Sequence, residues 1–129
     1  MYRHITGTAA KINSKIYLIY SPLIVKQKHK NMAQWTRKPQ EQDGTYLFSG
    51  NFYTTRRVYE ELSPQEIRVI HADVKAFAKA KQGIDYLQVY EDEQGRKLFF
   101  IDQLNREMID SGDYKDEDNY CTLLFASEY

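Results

Sequence analysis

One strongly signalled amphipathic helix constrains the fold of this 129-residue chain more than any other feature. It begins at Ser63-Pro64-Gln65-Glu66, where the serine can cap free amides, the proline suits the first helical position and the glutamate completes a capping box. Apolar residues then recur at spacings of three and four, and Gly83 is a natural stop. The stripe comprises Ile67, Ile70, Val74, Phe77 and Ala78, with His71 on or beside it. The pattern predicts a helix over residues 63–82 that buries one face.

Runs of β-favouring residues flank this helix on both sides. The predicted strands cover residues 45–48, 51–58, 84–91, 97–102 and 120–126. The loop Glu93-Gln94-Gly95-Arg96 suits a hairpin, the continuous apolar run YCTLLFA suits a central strand, and a short helix is expected over residues 104–109. The order β-β-α-β-β-(α)-β predicts an α+β domain with a mostly antiparallel sheet and one main helix, about 63–82, packed on it.

Charge is unevenly distributed along the chain. Residues 1–40 contain eight basic residues and no acidic one, whereas residues 41–129 contain ten basic and eighteen acidic residues, so that the net charge is zero. Such a split is typical of a basic arm attached to an acidic body. We predict a basic N-terminal extension over residues 1–40, which need not belong to the core, and a single α+β domain over residues 41–129. In the opposite alternative, residues 15–20 and 22–26 form strands that extend the main sheet.

The longest apolar run, IYLIYSPLIV at residues 16–25, is a poor targeting or membrane segment. It spans ten residues with Ser21 and Pro22 inside it, whereas a helix that crosses a bilayer needs roughly 20 apolar residues. A signal peptide is disfavoured because basic residues follow at once and a small-residue cleavage site is missing. We expect a cytoplasmic protein with no transmembrane segment. A further hypothesis makes Met32 an alternative translation start, which would leave residues 1–31 outside the native protein.

The basic extension offers a nucleic-acid-binding function as an alternative. Lysine and arginine release counterions from phosphates, and aromatic faces stack on unpaired bases. The residues that would make these contacts are Lys26, Lys28, Lys30, Trp35, Arg37 and Lys38. A short basic run such as KQKHK is more often a solvated loop, so this function stands second.

Motifs that carry catalysis are largely missing from the sequence. It contains no GxxxxGK[ST], GxGxxG, HExxH or GxSxG. A Cys121–His71 pair is formally possible as nucleophile and base, but Cys121 lies in a predicted buried strand, where cysteine is an inert hydrophobe. Asp102 is expected to end a strand and cap the following turn. We predict no catalytic residue and no cofactor; a small enzyme with His71, Asp102 or Cys121 in one pocket is the third alternative.

The acidic loop that follows residue 109 contains the carboxylates that a hard cation prefers. They are Asp110, Asp113, Asp116, Glu117 and Asp118. Their spacing does not match an EF-hand loop, and a solvated charge run is the default interpretation. We therefore predict no metal site.

The C-terminal half contains several short motifs, each present once. These are Asp85-Tyr86-Leu87, Gly95, Phe99-Phe100-Ile101-Asp102 and the closing Thr122–Tyr129 (TLLFASEY). From about Thr54 onward the chain resembles a family of small bacterial proteins, often plasmid-borne, that is grouped as a domain of unknown function with a C-terminal T-x-x-[LM]-A-x-E-Y motif. Gln103-Leu104-Asn105 departs from the aromatic-aromatic-Asp of that family. The resemblance implies one folded domain and carries no activity with it.

The function predicted from these observations is that of a small non-enzymatic binding or regulatory protein acting through protein–protein contacts. Its partner would be another protein or a second copy of itself, and the sequence leaves the question of a small-molecule ligand open. Exposed tyrosines are typical interface residues because they bury much area at low entropic cost. Two adjacent arginines in a strand point to opposite faces, so one could pair with the acidic loop and the other hold an anionic partner. The predicted binding residues are Arg56, Arg57, Tyr86, Tyr90 and Tyr114.

Overall fold

A five-stranded mixed sheet with one long helix across it organises residues 32–129, the part of the chain that this computed structural model describes. The elements are β1 (Thr36–Arg37), β2 (Asn51–Thr54), α1 (Arg56–Glu61), α2 (Pro64–Lys81), β3 (Leu87–Glu91), β4 (Lys97–Asp102), α3 (Arg106–Ser111) and β5 (Tyr120–Phe125). The spatial strand order is β1-β3-β4-β5-β2, and only the β2–β5 pair is parallel. The predicted α+β class with a mostly antiparallel sheet and one main helix is confirmed.

Helix α2 begins and ends where its sequence signals place it. Ser63 Oγ accepts the Glu66 N–H at 3.1 Å, and Glu66 Oε1 accepts the Ser63 N–H at 2.9 Å, which is the reciprocal capping box. At the other end Gln82 adopts the left-handed conformation (φ 58°) and Gly83 follows at φ 126°. A Cβ at Gly83 would lie 2.8 Å from the Cα of Thr45, so this position requires glycine on both counts.

The core lies between α2 and one face of the sheet. Ile70 and Val74 of α2 are fully buried, and the strands supply Leu98, Phe100 and Leu123 from the opposing layer. The ring of Phe48 meets Phe100 edge-on with centroids 5.2 Å apart. Strand β5, between β4 and β2, is buried along nearly its whole length, and this confirms its predicted central position.

Two predicted strand segments before α2 are corrected by the structure. Residues 55–58 are not strand: Thr55 caps the short helix α1, with its Oγ1 accepting the Val58 N–H at 3.3 Å. Residues 45–48 make a single antiparallel bridge, between Tyr46 and Ile84, and do not form a continuous strand. The Thr55 N–H still donates to the Leu123 carbonyl of β5 at 3.1 Å, and the chain leaves the sheet there because Thr55 caps a helix.

The division predicted after residue 40 leaves β1 on the side of the basic extension. In the structure Thr36 pairs with Glu91 and Arg37 with Tyr90, and Trp35 packs against the core. Residues 35–37 thus contact the sheet and α2. The strands considered at residues 15–20 and 22–26 lie outside the described residues.

Candidate binding cleft

A cleft of about 320 Å³ opens between the edge strand β1 and the helix α2. Its lining comprises Trp35, Thr36, Arg37, Val69, Ile70, Asp73 and Tyr90. From the sequence, Trp35 and Arg37 are candidates for nucleic-acid contact and Tyr90 is a candidate for protein binding. The structure brings them to one place.

Strand pairing explains why these side chains share one side of the sheet. Arg37 and Tyr90 are cross-strand partners, so their side chains project to the same face, and Trp35 follows the same alternation two residues earlier. On that face they reach α2. The Asp73 Oδ2 atom accepts from Arg37 Nε at 2.9 Å and from the Tyr90 hydroxyl at 2.8 Å.

Helical periodicity supplies the matching contacts on α2. Glu66 and Asp73 are seven residues apart, and Asp73 and Phe77 are four apart. These spacings are about two turns and one turn, so the three side chains share the side of α2 that faces β1. Glu66 Oε2 accepts the indole N–H of Trp35 at 2.6 Å, and the guanidinium of Arg37 stacks 3.8 Å from the ring centroid of Phe77. Side chains therefore fasten the two-residue β1 to the helix.

The Tyr90 hydroxyl and the Asp73 carboxylate have different roles in the cleft. Burial raises the pKa of Tyr90 far above its usual value, with the hydrogen bond to Asp73 acting in the same sense, so its hydroxyl remains a donor. Asp73 uses Oδ2 for both bonds, and no described residue bonds its Oδ1. Its side chain is 43% exposed, which leaves that oxygen open to a ligand.

The apolar part of the cleft reaches the surface at Val69. This side chain is 53% exposed and is the only aliphatic one among the large exposed hydrophobic residues of the described chain. Ala76, seven residues on, is also exposed and lies on the same side of the helix. An apolar wall thus stands beside the Arg37–Asp73 pair.

Tyrosine exposure was predicted for three residues and is found for two. Tyr86 is 36% exposed, with its ring 6.0 Å from that of Tyr46, and Tyr114 is 47% exposed in the acidic loop. Tyr90 is only 2% exposed, so its prediction as an exposed interface residue is wrong. Its alternation in β3 turns it towards α2, where it forms the floor of the cleft.

Arg56 and Arg57 open helix α1, so the prediction that they point to opposite faces of a strand is wrong. Arg57 Nε bonds Glu61 Oε2 at 2.8 Å, its Nη1 donates to Ser127 Oγ at 2.7 Å, and its guanidinium covers the ring of Phe125. These contacts tie α1 to the end of β5 and do not involve the acidic loop. Arg56 is exposed.

The residues predicted for nucleic-acid contact fall into two groups. Lys26, Lys28 and Lys30 lie outside the described residues. The other three each meet a carboxylate of this chain: Trp35 meets Glu66, Arg37 meets Asp73, and Lys38 Nζ lies 3.4 Å from Glu91.

Of the three candidates for an enzyme site, Cys121 and Asp102 lie in the interior and His71 is partly buried. Cys121 is fully buried, and burial, followed by the nearby Asp102 charge, raises the pKa of its thiol. Burial lowers the pKa of His71 to about 4, and its ring stacks on Phe52 at 4.1 Å. Asp102 ends β4 and accepts the N–H of Gln103, as predicted. No described hydrogen bond joins these three side chains.

Within residues 32–129, no group of three or more His, Cys, Asp or Glu side chains is placed to hold a metal ion. Across the same residues, every helix falls short of the length and apolar character that crossing a membrane would require.

Sequence reasoning missed Val69, Asp73 and Glu66 as members of a site. In the sequence Glu66 is predicted as a capping-box residue, and Val69 and Asp73 lie outside the apolar stripe of the predicted helix. The available signal was that Val69 and Ala76 repeat at a spacing of seven.

No family model matches the chain, and the comparisons with curated proteins and with solved structures give no match either. The resemblance of its C-terminal half to the bacterial family of unknown function therefore stays a prediction.

Proposed function

We propose that this chain is a non-enzymatic binding protein that holds a protein partner in the cleft between β1 and α2. The observation that carries the proposal is the exposed Val69 beside the side chains of Trp35, Arg37 and Tyr90. Tryptophan, tyrosine and arginine are the residues that most often dominate the binding energy of protein interfaces. Trp35 and Arg37, beside an apolar rim, suit a partner's side chain, and the buried Tyr90 supports them by bonding Asp73.

The fixed geometry of the cleft supports the same function. Trp35, Arg37 and Tyr90 are each already bonded to a carboxylate of α2. Ordering a long side chain at an interface costs about 0.5–1.5 kcal/mol, and these side chains are ordered before a partner arrives. The interior position of Cys121 and Asp102 gives no comparable support to the enzyme alternative.

Site-specific photo-crosslinking in the cells that make this protein tests the proposal. A benzophenone amino acid replaces Val69 in one full-length variant and Tyr129 in the control, because both positions are exposed. We expect a discrete protein adduct from position 69 that position 129 does not form. An adduct of twice the chain's mass would identify the partner as a second copy. Identical adducts from both positions, or none from position 69, would contradict the proposal.

A further inference from the structure

The outer edge of β1 carries backbone N–H and C=O groups that can pair with another strand. Strand β1 ends the spatial order of the sheet, so no described strand lies beyond it. The Lys38 N–H donates to the Val89 carbonyl at 2.7 Å, which faces inward to β3. Because successive residues turn their peptide groups to opposite edges, the N–H and C=O of Arg37 face outward. Pro39, with no N–H, limits this edge on the C-terminal side.

A strand added to this edge would place alternate side chains over the cleft. Side chains on the face of Trp35 and Arg37 project towards α2, and Val69 is the exposed apolar residue there. Residues two apart in a strand are separated by roughly 6.6 Å. Val69 and Asp73, four apart on α2, are separated by about 6 Å along the helix axis. A strand laid along the helix axis would therefore reach both residues.

If one side chain of the added strand packs on Val69, the next one on the same face lies near Asp73. The charge of Asp73 indicates what kind of side chain this should be. The Asp73 Oδ1 atom has no described partner and belongs to a carboxylate that is 43% exposed. The Arg37 guanidinium already bonds Oδ2, so a second cation would bond this carboxylate at Oδ1. A basic side chain two residues from an apolar one complements both Val69 and Asp73.

We propose, building on the binding function above, that the outer edge of β1 takes up an extended segment of a partner protein as an additional strand. An apolar side chain of that segment packs on Val69, and a basic side chain two residues away bonds Asp73. Main-chain hydrogen bonds to Arg37 supply affinity, and the apolar-x-basic pattern supplies selectivity.

Selection from a phage-displayed library of random dodecapeptides against the full-length protein provides the probes. We expect selected peptides to share an apolar residue two positions from Lys or Arg. Fluorescence anisotropy should show that Val69→Lys weakens their binding by about tenfold or more, as loss of a central apolar contact does. Tyr129→Lys, a change at an exposed position whose ring contacts Phe99 of β4, should leave affinity unchanged. Failure to select such a pattern, or equal effects of the two variants, would overturn the proposal.

Backbone pairing between a selected peptide and β1 is tested by two separate measurements. Single N-methylation along a selected peptide should abolish binding at alternate residues, and hydrogen exchange at the Arg37 amide should slow when peptide binds. If every N-methylated peptide binds normally, strand addition is wrong. An adduct from position 69 in cells would then still support the binding function, so the two failures are distinguishable.

The chain's own residues 24–26 carry the same apolar-x-basic pattern, as Ile24-Val25-Lys26. This segment could occupy the outer edge of β1 in place of a partner. If it does not, the Arg37 amide should exchange rapidly with solvent in the free full-length protein. Slow exchange that becomes fast in the Ile24→Asp variant would show that this segment occupies the edge, and would overturn the assignment to a partner.

Discussion

Two buried titratable side chains, Asp102 and His71, respond to pH in opposite directions. Burial raises the pKa of Asp102 to about 6, although its carboxylate accepts N–H bonds from Phe48 and Gln103. The bond to Phe48 holds that residue at φ 52°, a conformation that non-glycine residues rarely adopt. Burial lowers the pKa of His71 to about 4, with the charge of Lys75 contributing. Between pH 4 and 6 the two effects on stability oppose each other.

Replacing Asp102 should remove one of these dependences. A group whose pKa is higher in the folded state contributes stability that is complete below its unfolded pKa and is lost as pH rises through its folded pKa, here about 6. The free energy of unfolding of Asp102→Asn, relative to the wild type, should therefore increase between pH 4 and 7. A shift of this size corresponds to about 3 kcal/mol. Urea unfolding at intervals of one pH unit measures it.

His71→Phe is the counterpart with the opposite sign. The folded-state pKa of His71 is depressed, so its contribution is present above pH 6.5 and is lost as pH falls towards about 4. Relative to the wild type, this variant should gain stability as the pH is lowered, and its aromatic ring can keep the stack on Phe52. Unfolding curves of both variants that stay parallel to the wild type at every pH would contradict both directions.

Among the elements, those with local signals were predictable and those fixed by tertiary contact were not. Helix α2 carries its own caps and stripe, and its predicted range is confirmed to within one residue at each end. Strand β1 has two residues, too few for any periodic signal. Helix α1 had local signals in its N-cap Thr55 and in the Arg57–Glu61 pair at a helical spacing of four, and β-favouring neighbours outweighed them. The cleft lies between β1 and α2, so its members on β1 and β3 were candidates from the sequence, but their meeting with α2 was not predictable.

Strand β1 should depend on α2 more than on its pairing with β3. The Trp35→Phe variant keeps an aromatic ring but removes the indole N–H that meets the nearly buried Glu66. A buried acceptor that loses its donor costs about 1–3 kcal/mol. Hydrogen exchange should show lower protection of the Lys38 amide, whereas amides of the β4–β5 pair keep their protection. The control Tyr114→Phe should change neither, and equal loss of protection throughout the sheet would contradict this view.

At the scale of the whole molecule, the sheet joins segments that are far apart in sequence. β5, at the end of the chain, lies between β4 and the much earlier β2 and pairs in parallel with β2. The predicted order of elements fixes the class, but no short-range pattern specifies a parallel pairing across about seventy residues. The central position of β5 implies that it separates from its neighbours only when the whole sheet opens.

The single cysteine reports that opening directly. Cys121 lies in β5, is fully buried and has a raised thiol pKa, so a thiol reagent should reach it only through global unfolding. A domain stability of about 5 kcal/mol or more predicts labelling that is slower than that of an exposed thiol by about a thousandfold or more. The Val69→Cys variant supplies the exposed thiol within the same chain. Labelling of Cys121 should accelerate with urea in parallel with the loss of helical circular dichroism. Rapid labelling in the absence of denaturant would show that β5 opens locally and that the sheet does not unfold as one unit.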